Sequence, residues 1–216
     1  MRESFLALCD RAGVPVVVPD GIGAMCCGTP WTSKGYRRGH RAMAGGVLPG
    51  LLEASEGGRL PVVCDGASCT EGFAAMARGS ALDRGSALDV IDAVDFAERV
   101  LLPHLVVTTK LESIALHPTC SSEHLGVTAA MRRIAEAISG EAVIPDDWGC
   151  CAFAGDRGLL HPELTASATR AEAAGLAGRA FTAYASVNRT CEIGMTRATG
   201  QPYRHILELL EEATRP

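Results

Sequence analysis

Short apolar runs rich in β-branched residues recur along the chain: VPVVVPD, LPVVCDG, LVVTTK, SIALHPT, EAVIPDD and AFTAYASVN. Runs of this kind predict strands. Between them lie stretches of helical character, from Tyr36 to Ala54, Glu123 to Ser139 and Pro162 to Arg179, and FLALCDRAG near the start has the same character. Amphipathic helix patterns, DVIDAVDFAERVLL and YRHILELLEEA, close each half. Strands alternating with helices predict an α/β fold of two pseudo-repeated βαβ units with mostly parallel sheets, their strands apolar throughout because both faces are covered.

The halves resemble each other in order as well as in kind. VPVVVPDGIGAMCCGTP aligns with EAVIPDDWGCCAFAG: an apolar run, a Pro-Asp turn, then adjacent cysteines. A helical segment, a strand and one more cysteine follow in each, GASC ending at Cys69 and NRTC ending at Cys191. The separations Cys27 to Cys69 and Cys151 to Cys191 differ by only two residues. Repeats at residues 1–108 and 109–216 are the expected organisation.

Composition narrows the setting. With 216 residues and 47% hydrophobic content the chain can bury a substantial core, which excludes a disordered chain. A net charge of −5 without a Lys/Arg block argues against nucleic acid. No apolar run reaches the roughly 20 residues of a bilayer span, and the start lacks a signal-peptide pattern. A cytoplasmic location is expected, with peripheral docking at the inner face of a membrane compatible with it.

Nine cysteines are many for a reducing compartment, so metal or redox chemistry is favoured over stapling. Most are expected just after a strand, where open parallel sheets bind ligands: Cys26, Cys27, Cys64, Cys69, Cys120, Cys150, Cys151 and Cys191. Cys9, inside an apolar helical pattern, reads as a buried inert thiol. One adjacent pair alone would be ordinary buried cysteine. Two pairs in matching positions, each with a matching downstream partner, point to a shared metal or redox role.

Cys120, Cys150, Cys151 and Cys191 supply four thiolates, enough for one tetrahedral zinc or one iron-sulfur cluster. Adjacent side chains reach two irons of a cluster more easily than one small ion. Gly149, Gly155 and Gly158 in the second cysteine loop, and Gly28 in the first, permit tight turns and close backbone approach. His117, in LHPTC, is a ligand or supporting donor on the functional reading and a merely hydrogen-bonded strand-end histidine on the simpler one. His124, His161 and His205 read as surface, and the charged run of LELLEEA as a solvated face. Neither a phosphate-binding glycine motif nor a nucleophile-base arrangement is present.

The motifs MCCGTPWTSKG, LHPTCSSEHLG, WGCCAFAGDRG and NRTCEIGM resemble the duplicated cysteine-rich CCG domain family of the heterodisulfide reductase type, with the closest likeness to the C-terminal iron-sulfur region of FAD-linked D-lactate dehydrogenase type oxidoreductases. The likeness covers nearly the whole chain. It implies a lead cysteine, a CCG and a C-x-x-C in each repeat. Carried over by motif, Cys120, Cys150, Cys151 and Cys191 would ligate an iron-sulfur cluster of the 4Fe-4S type, non-cubane in some members. Cys26, Cys27 and Cys69 match the first site, which, lacking its lead cysteine, would be empty, recruit Cys64 as a substitute ligand, or hold zinc. The pattern departs at Asn188 and Gly66, which stand where the first cysteine of each C-x-x-C belongs, and at Ala152 in place of the CCG glycine. The first repeat lacks its lead strand and cysteine, which are expected upstream in a longer parent or lost.

The function this implies is electron transfer, from FAD on a companion flavin-containing dehydrogenase domain or subunit, oxidising D-lactate or a similar 2-hydroxy acid, to a quinone, cytochrome or other acceptor. The substrate-oxidising site would lie outside this chain. A zinc-stabilised structural or docking module and a vicinal-thiol disulfide enzyme are the alternatives; the second lacks a C-x-x-C at a helix start.

Overall fold

The computed structural model describes residues 1–79 and 88–216. Two compact units divide them: Pro15–Ala93, and Met1–Val14 together with Val94–Pro216. The first element, α1 (Arg2–Arg11), belongs to the second of these and buries Phe5, Leu8 and Cys9.

In the Pro15–Ala93 unit the order is α2 (Thr29–Ser33), α3 (Arg37–Ala54), β1 (Val62–Cys64), α4 (Ala67–Arg78) and β2 (Val90–Asp92). β1 and β2 pair in parallel, Val62 opposite Val90 and Cys64 opposite Asp92. Val47, Leu48 and Leu51 of α3 pack with Met76 of α4 and Leu88. The expected strand VPVVVPD is not one. Residues 15–19 form no regular element and join no sheet, and Val16, Val17 and Val18 are exposed. β-Branched residues favour a pleated, half-buried surface, and without a neighbouring strand there is none to join.

The remaining unit continues with α5 (Ala93–Phe96) and a π-helical turn Ala97–Leu101, then β3 (Leu111–Leu116), α6 (Cys120–Leu125), α7 (Thr128–Ile138), β4 (Ser139–Val143), α8 (Arg157–Leu160), α9 (Pro162–Ala168), α10 (Arg170–Leu176), β5 (Ala183–Ser186), α11 (Arg189–Thr199), β6 (Tyr203–His205) and α12 (Ile206–Ala213). Its four strands form one parallel sheet in the order β4-β3-β5-β6. Fully buried Leu8 of α1, Met131, Ile134 and Ile138 of α7, and Ile206 and Leu207 of α12 supply much of its core. Each such side chain contributes about 1.5–3 kcal/mol of burial.

The expected strand LVVTTK is instead a strap, with Thr108 N–H and Thr109 N–H donating to the Ala213 carbonyl and Val106 exposed. Both closing patterns expected to be wholly helical begin with three residues of strand, β2 and β6. The order β1-α4-β2 thus matches β5-α11-β6, each a parallel crossover.

His205, expected at the surface, is buried at the start of α12, where its Nδ1 accepts the Leu207 N–H at 3.3 Å. The run that follows it is not uniformly solvated either: Glu211 is buried and ion-paired to Arg11 and Arg215. Burial lowers the His205 pKa from 6.5 to about 4. Between those values the unfolded chain binds a proton that the folded chain refuses, so stability present above pH 6.5 is lost as pH falls towards 4, by up to about 3 kcal/mol. Urea titrations of wild type and His205→Asn, which retains a capping side chain, should show a shallower acid loss in the variant. Equal slopes would contradict this account.

Candidate metal centre

Four elements deliver the side chains of the C-terminal cysteine group. β3 runs on past Leu116, because His117 N–H donates to the Ala185 carbonyl at 2.8 Å and Ser186 Oγ donates to the His117 carbonyl at 2.9 Å. This sets His117 at the carboxyl end of the sheet with zero exposure. Two residues on, Thr119 caps α6: its side chain accepts the Ser122 N–H while Ser122 Oγ accepts the Thr119 N–H. Cys120 therefore occupies the first position of a well-capped helix.

Cys150 and Cys151 lie in the loop after β4. The backbone after the pair is left-handed at Ala152, with φ 53°, where the first loop has Gly28 at φ 79°. That is the physical content of the CCG glycine, and Ala152 occupies the same conformation at a cost of roughly 1–2 kcal/mol. The turn directs neighbouring side chains to different surroundings, Cys151 buried and Cys150 exposed. Cys191 sits in the first turn of α11, its N–H donating to the carbonyl of the N-cap residue Asn188. Cys69 does the same with Gly66 in α4. Both departures from C-x-x-C thus fall on helix N-caps, where an extended backbone rather than a sulfur is what the fold needs.

All four thiols converge. Cys151 Sγ and Cys191 Sγ are 3.0 Å apart. The Cys120 and Cys150 side chains lie within hydrogen-bonding reach of each other, and Cys191 feels the charge of both. The hydrogen bond from Cys191 lowers the Cys151 pKa to about 5 against the opposing effect of burial, with the Phe153 N–H and His117 assisting. Cys191 is shifted upward by the same hydrogen bond and by burial, so the pair shares one proton, held on Cys191. The Ala152 N–H also reaches Cys150 Sγ at 3.3 Å.

His117 belongs to this group, although its sequence position alone left it undecided. One of its ring nitrogens, Cys151 Sγ and Cys191 Sγ all lie within 4.8 Å of one another. Its Nδ1 meets both carboxylate oxygens of Glu172 at 2.9 Å, and its Nε2 is buried without a hydrogen bond of ordinary geometry. Burial opposes protonation of the ring, but Cys151 and Glu172 outweigh it and raise the pKa to about 9. Glu172 has 1% exposure. Sequence reasoning missed it, because in RAEAAGLAG it reads as one more solvated helix charge; the apolar run around it is the only hint of burial.

The Pro15–Ala93 unit assembles Cys26, Cys27, Cys64 and Cys69 in a similar way. Cys27 is pulled down to about 5, first by the hydrogen bond from Cys69 against burial, then by Thr29 and Cys26. Cys69 holds the shared proton and feels Cys64, which burial pushes up to about 11. No strand precedes Cys26 and Cys27, contrary to expectation. Cys9 is buried and pushed up to about 11, as an inert core thiol should be. All nine cysteines are free.

Glycines three residues after the downstream cysteines did not stand out in the sequence. A Cβ on Gly72, three residues after Cys69, would lie 3.0 Å from Cys27 Cβ, and one on Gly194, three after Cys191, would lie 3.7 Å from Cys151 Cβ. At Gly72 this clearance is required, with Thr29 Oγ1 closer still to that Cβ, whereas at Gly194 the Cys151 contact would be ordinary and the tighter neighbours are Thr165 at 3.3 Å and Phe153 at 3.4 Å. Phe153, almost fully buried, is seated over Gly158, where a Cβ would come within 2.5 Å of its ring. Gly158→Ala should therefore cost about 1–3 kcal/mol by overpacking. A urea midpoint unchanged from wild type would contradict that seating. Gly149 has open space instead, so its side-chain absence is not required by packing.

Residues 114–196 match the model of the CCG family, a cysteine-rich domain. That span contains His117, Cys120, Cys150, Cys151, Glu172 and Cys191. No curated protein matches the chain. Among the described residues no helix is long and apolar enough to cross a membrane.

Proposed function

We propose that this cysteine-rich chain is a metal-binding electron-transfer module, with Cys120, Cys150, Cys151 and Cys191 as the ligands of an iron-sulfur cluster. The observation that carries the reading is the convergence of four thiols from three separate segments, where the hydrogen bond from Cys191 lowers the Cys151 pKa. The donor set suits the group: soft sulfur, an ionised Cys151, and backbone N–H groups of Ala152 and Phe153 directed at sulfur. A cluster bound there would supply one-electron transfer. Cys151 and Cys191 form the buried side of the group, while Cys120 and Cys150 are exposed and bring it to the surface, where a partner's redox group could approach.

The finer reading rests on the resemblance of the motifs. It has electrons arriving from FAD on a flavin domain or subunit that oxidises D-lactate or a related 2-hydroxy acid, and leaving to a quinone or cytochrome. The chain would work in the cytoplasm or at the inner membrane face. Cys26, Cys27, Cys64 and Cys69 would hold a second metal, zinc or a cluster. The matching crossovers support a repeated unit, read as 1–108 and 109–216, although residues 1–14 and 94–108 pack in the same compact unit as 109–216.

Anaerobic reconstitution followed by iron and sulfide analysis and EPR tests the central claim. Protein that takes up neither iron nor sulfide rules it out. A zinc-stabilised docking module is the second reading, favoured by the closeness of His117, Cys151 and Cys191, which suits a single ion. Stoichiometric zinc with no visible absorption after anaerobic preparation would select it.

A further inference from the structure

His117 Nε2 is buried beside the Cys151 sulfur with no hydrogen bond of ordinary geometry, in a place where the fold should not tolerate an unsatisfied nitrogen. That condition costs roughly 1–3 kcal/mol when nothing compensates. Yet the ring is held from every side. The backbone is bonded to Ala185 and Ser186, the ring stands edge-on to Tyr203 with centroids 6.4 Å apart, and Nδ1 is gripped by both oxygens of Glu172. A carboxylate on one imidazole nitrogen holds that nitrogen's proton, so a metal can displace the proton of the other and take its lone pair, which is how metal-binding histidines are oriented.

We propose that His117 Nε2 is itself a metal ligand, acting on the same metal atom as Cys151 and Cys191, with Glu172 as its positioning residue. The inference rests on the reading that this pocket holds metal, and it applies whether that metal is an iron of a cluster or a single zinc-like ion. It makes the C-terminal site a mixed nitrogen-sulfur centre rather than an all-cysteine one. The rival role for His117 is a hydrogen-bond donor to the Cys151 thiolate, which would leave nitrogen one bond further from the metal.

Pulsed EPR separates the two. The protein is loaded anaerobically with iron and sulfide and reduced, or loaded with Co(II) alone, in natural abundance and with 15N-labelled histidine. A directly bonded imidazole gives a strong nitrogen coupling that changes on labelling, is lost in His117→Ala and persists in Glu172→Gln, where metal retention falls about 10–100-fold. Loaded wild type lacking that coupling, or a coupling that survives in His117→Ala, overturns the proposal while leaving the metal-binding reading intact. Protein that takes up neither metal overturns both. Because labelled wild type carries the decisive signal, the test does not depend on the variant folding.

Discussion

Cys151→Ser should lose the metal of the C-terminal group, with retention weakened by at least about 100-fold, the upper end of what removing a supporting partner alone costs. Cys151 is central: it is the thiolate of the shared-proton pair, it is within 3.0 Å of Cys191, and its charge acts on His117. Serine at that position remains protonated at neutral pH and is a hard oxygen donor where soft sulfur is needed. Cys191→Ser should have the same effect, and the double variant should be little worse than either, since one broken ligand set cannot be broken twice. Cys9→Ala, a core thiol far from this chemistry in character, should leave metal content unchanged. Metal per chain after anaerobic reconstitution is the measurement, and a Cys151→Ser protein with wild-type content would contradict the assignment. The content should fall by one site's share rather than to zero if Cys26, Cys27, Cys64 and Cys69 hold their own metal.

Glu172→Leu is expected to destabilise the metal-free protein by about 3–5 kcal/mol, the typical result of removing one partner from a buried charged pair. The pair is inaccessible on both sides, with 0% and 1% exposure, and His117 Nδ1 would have nothing else to bond. Glu172→Gln should cost much less, because its amide oxygen can still accept from Nδ1. Chemical denaturation of the two variants beside wild type reads the difference directly. Equal, small losses for both would mean that the carboxylate is not holding the ring.

How much of this was legible beforehand differs from element to element. Helix α3 and strands β1, β3 and β5 followed from local pattern, since their own residues supply the apolar faces that bury them. β2 and β6 were hidden inside helical patterns, because three residues are too few to override a longer 3.6-residue period. VPVVVPD failed in the opposite direction: its residues suit a strand, but nothing pairs with it. His205 and Glu211 were misread as solvated because a short polar run carries no record of which face will meet α1 or the sheet. At the site, both cysteine pairs and their downstream partners stood out through repetition, whereas the helix glycines at 72 and 194 did not, since a glycine's clearance depends on what lies opposite.

The amino-acid order alone settled which residues could donate sulfur, that they came in two matched sets, and that parallel βαβ crossovers would carry them, because these follow from composition and short-range period. Only the folded chain decided that four thiols and one histidine meet at the end of the β4-β3-β5-β6 sheet, which thiol gives up its proton, and that a glutamate 55 positions from His117 grips its ring. Those outcomes depend on distance through space and on exclusion of water, quantities that arise only when segments remote along the chain are packed together.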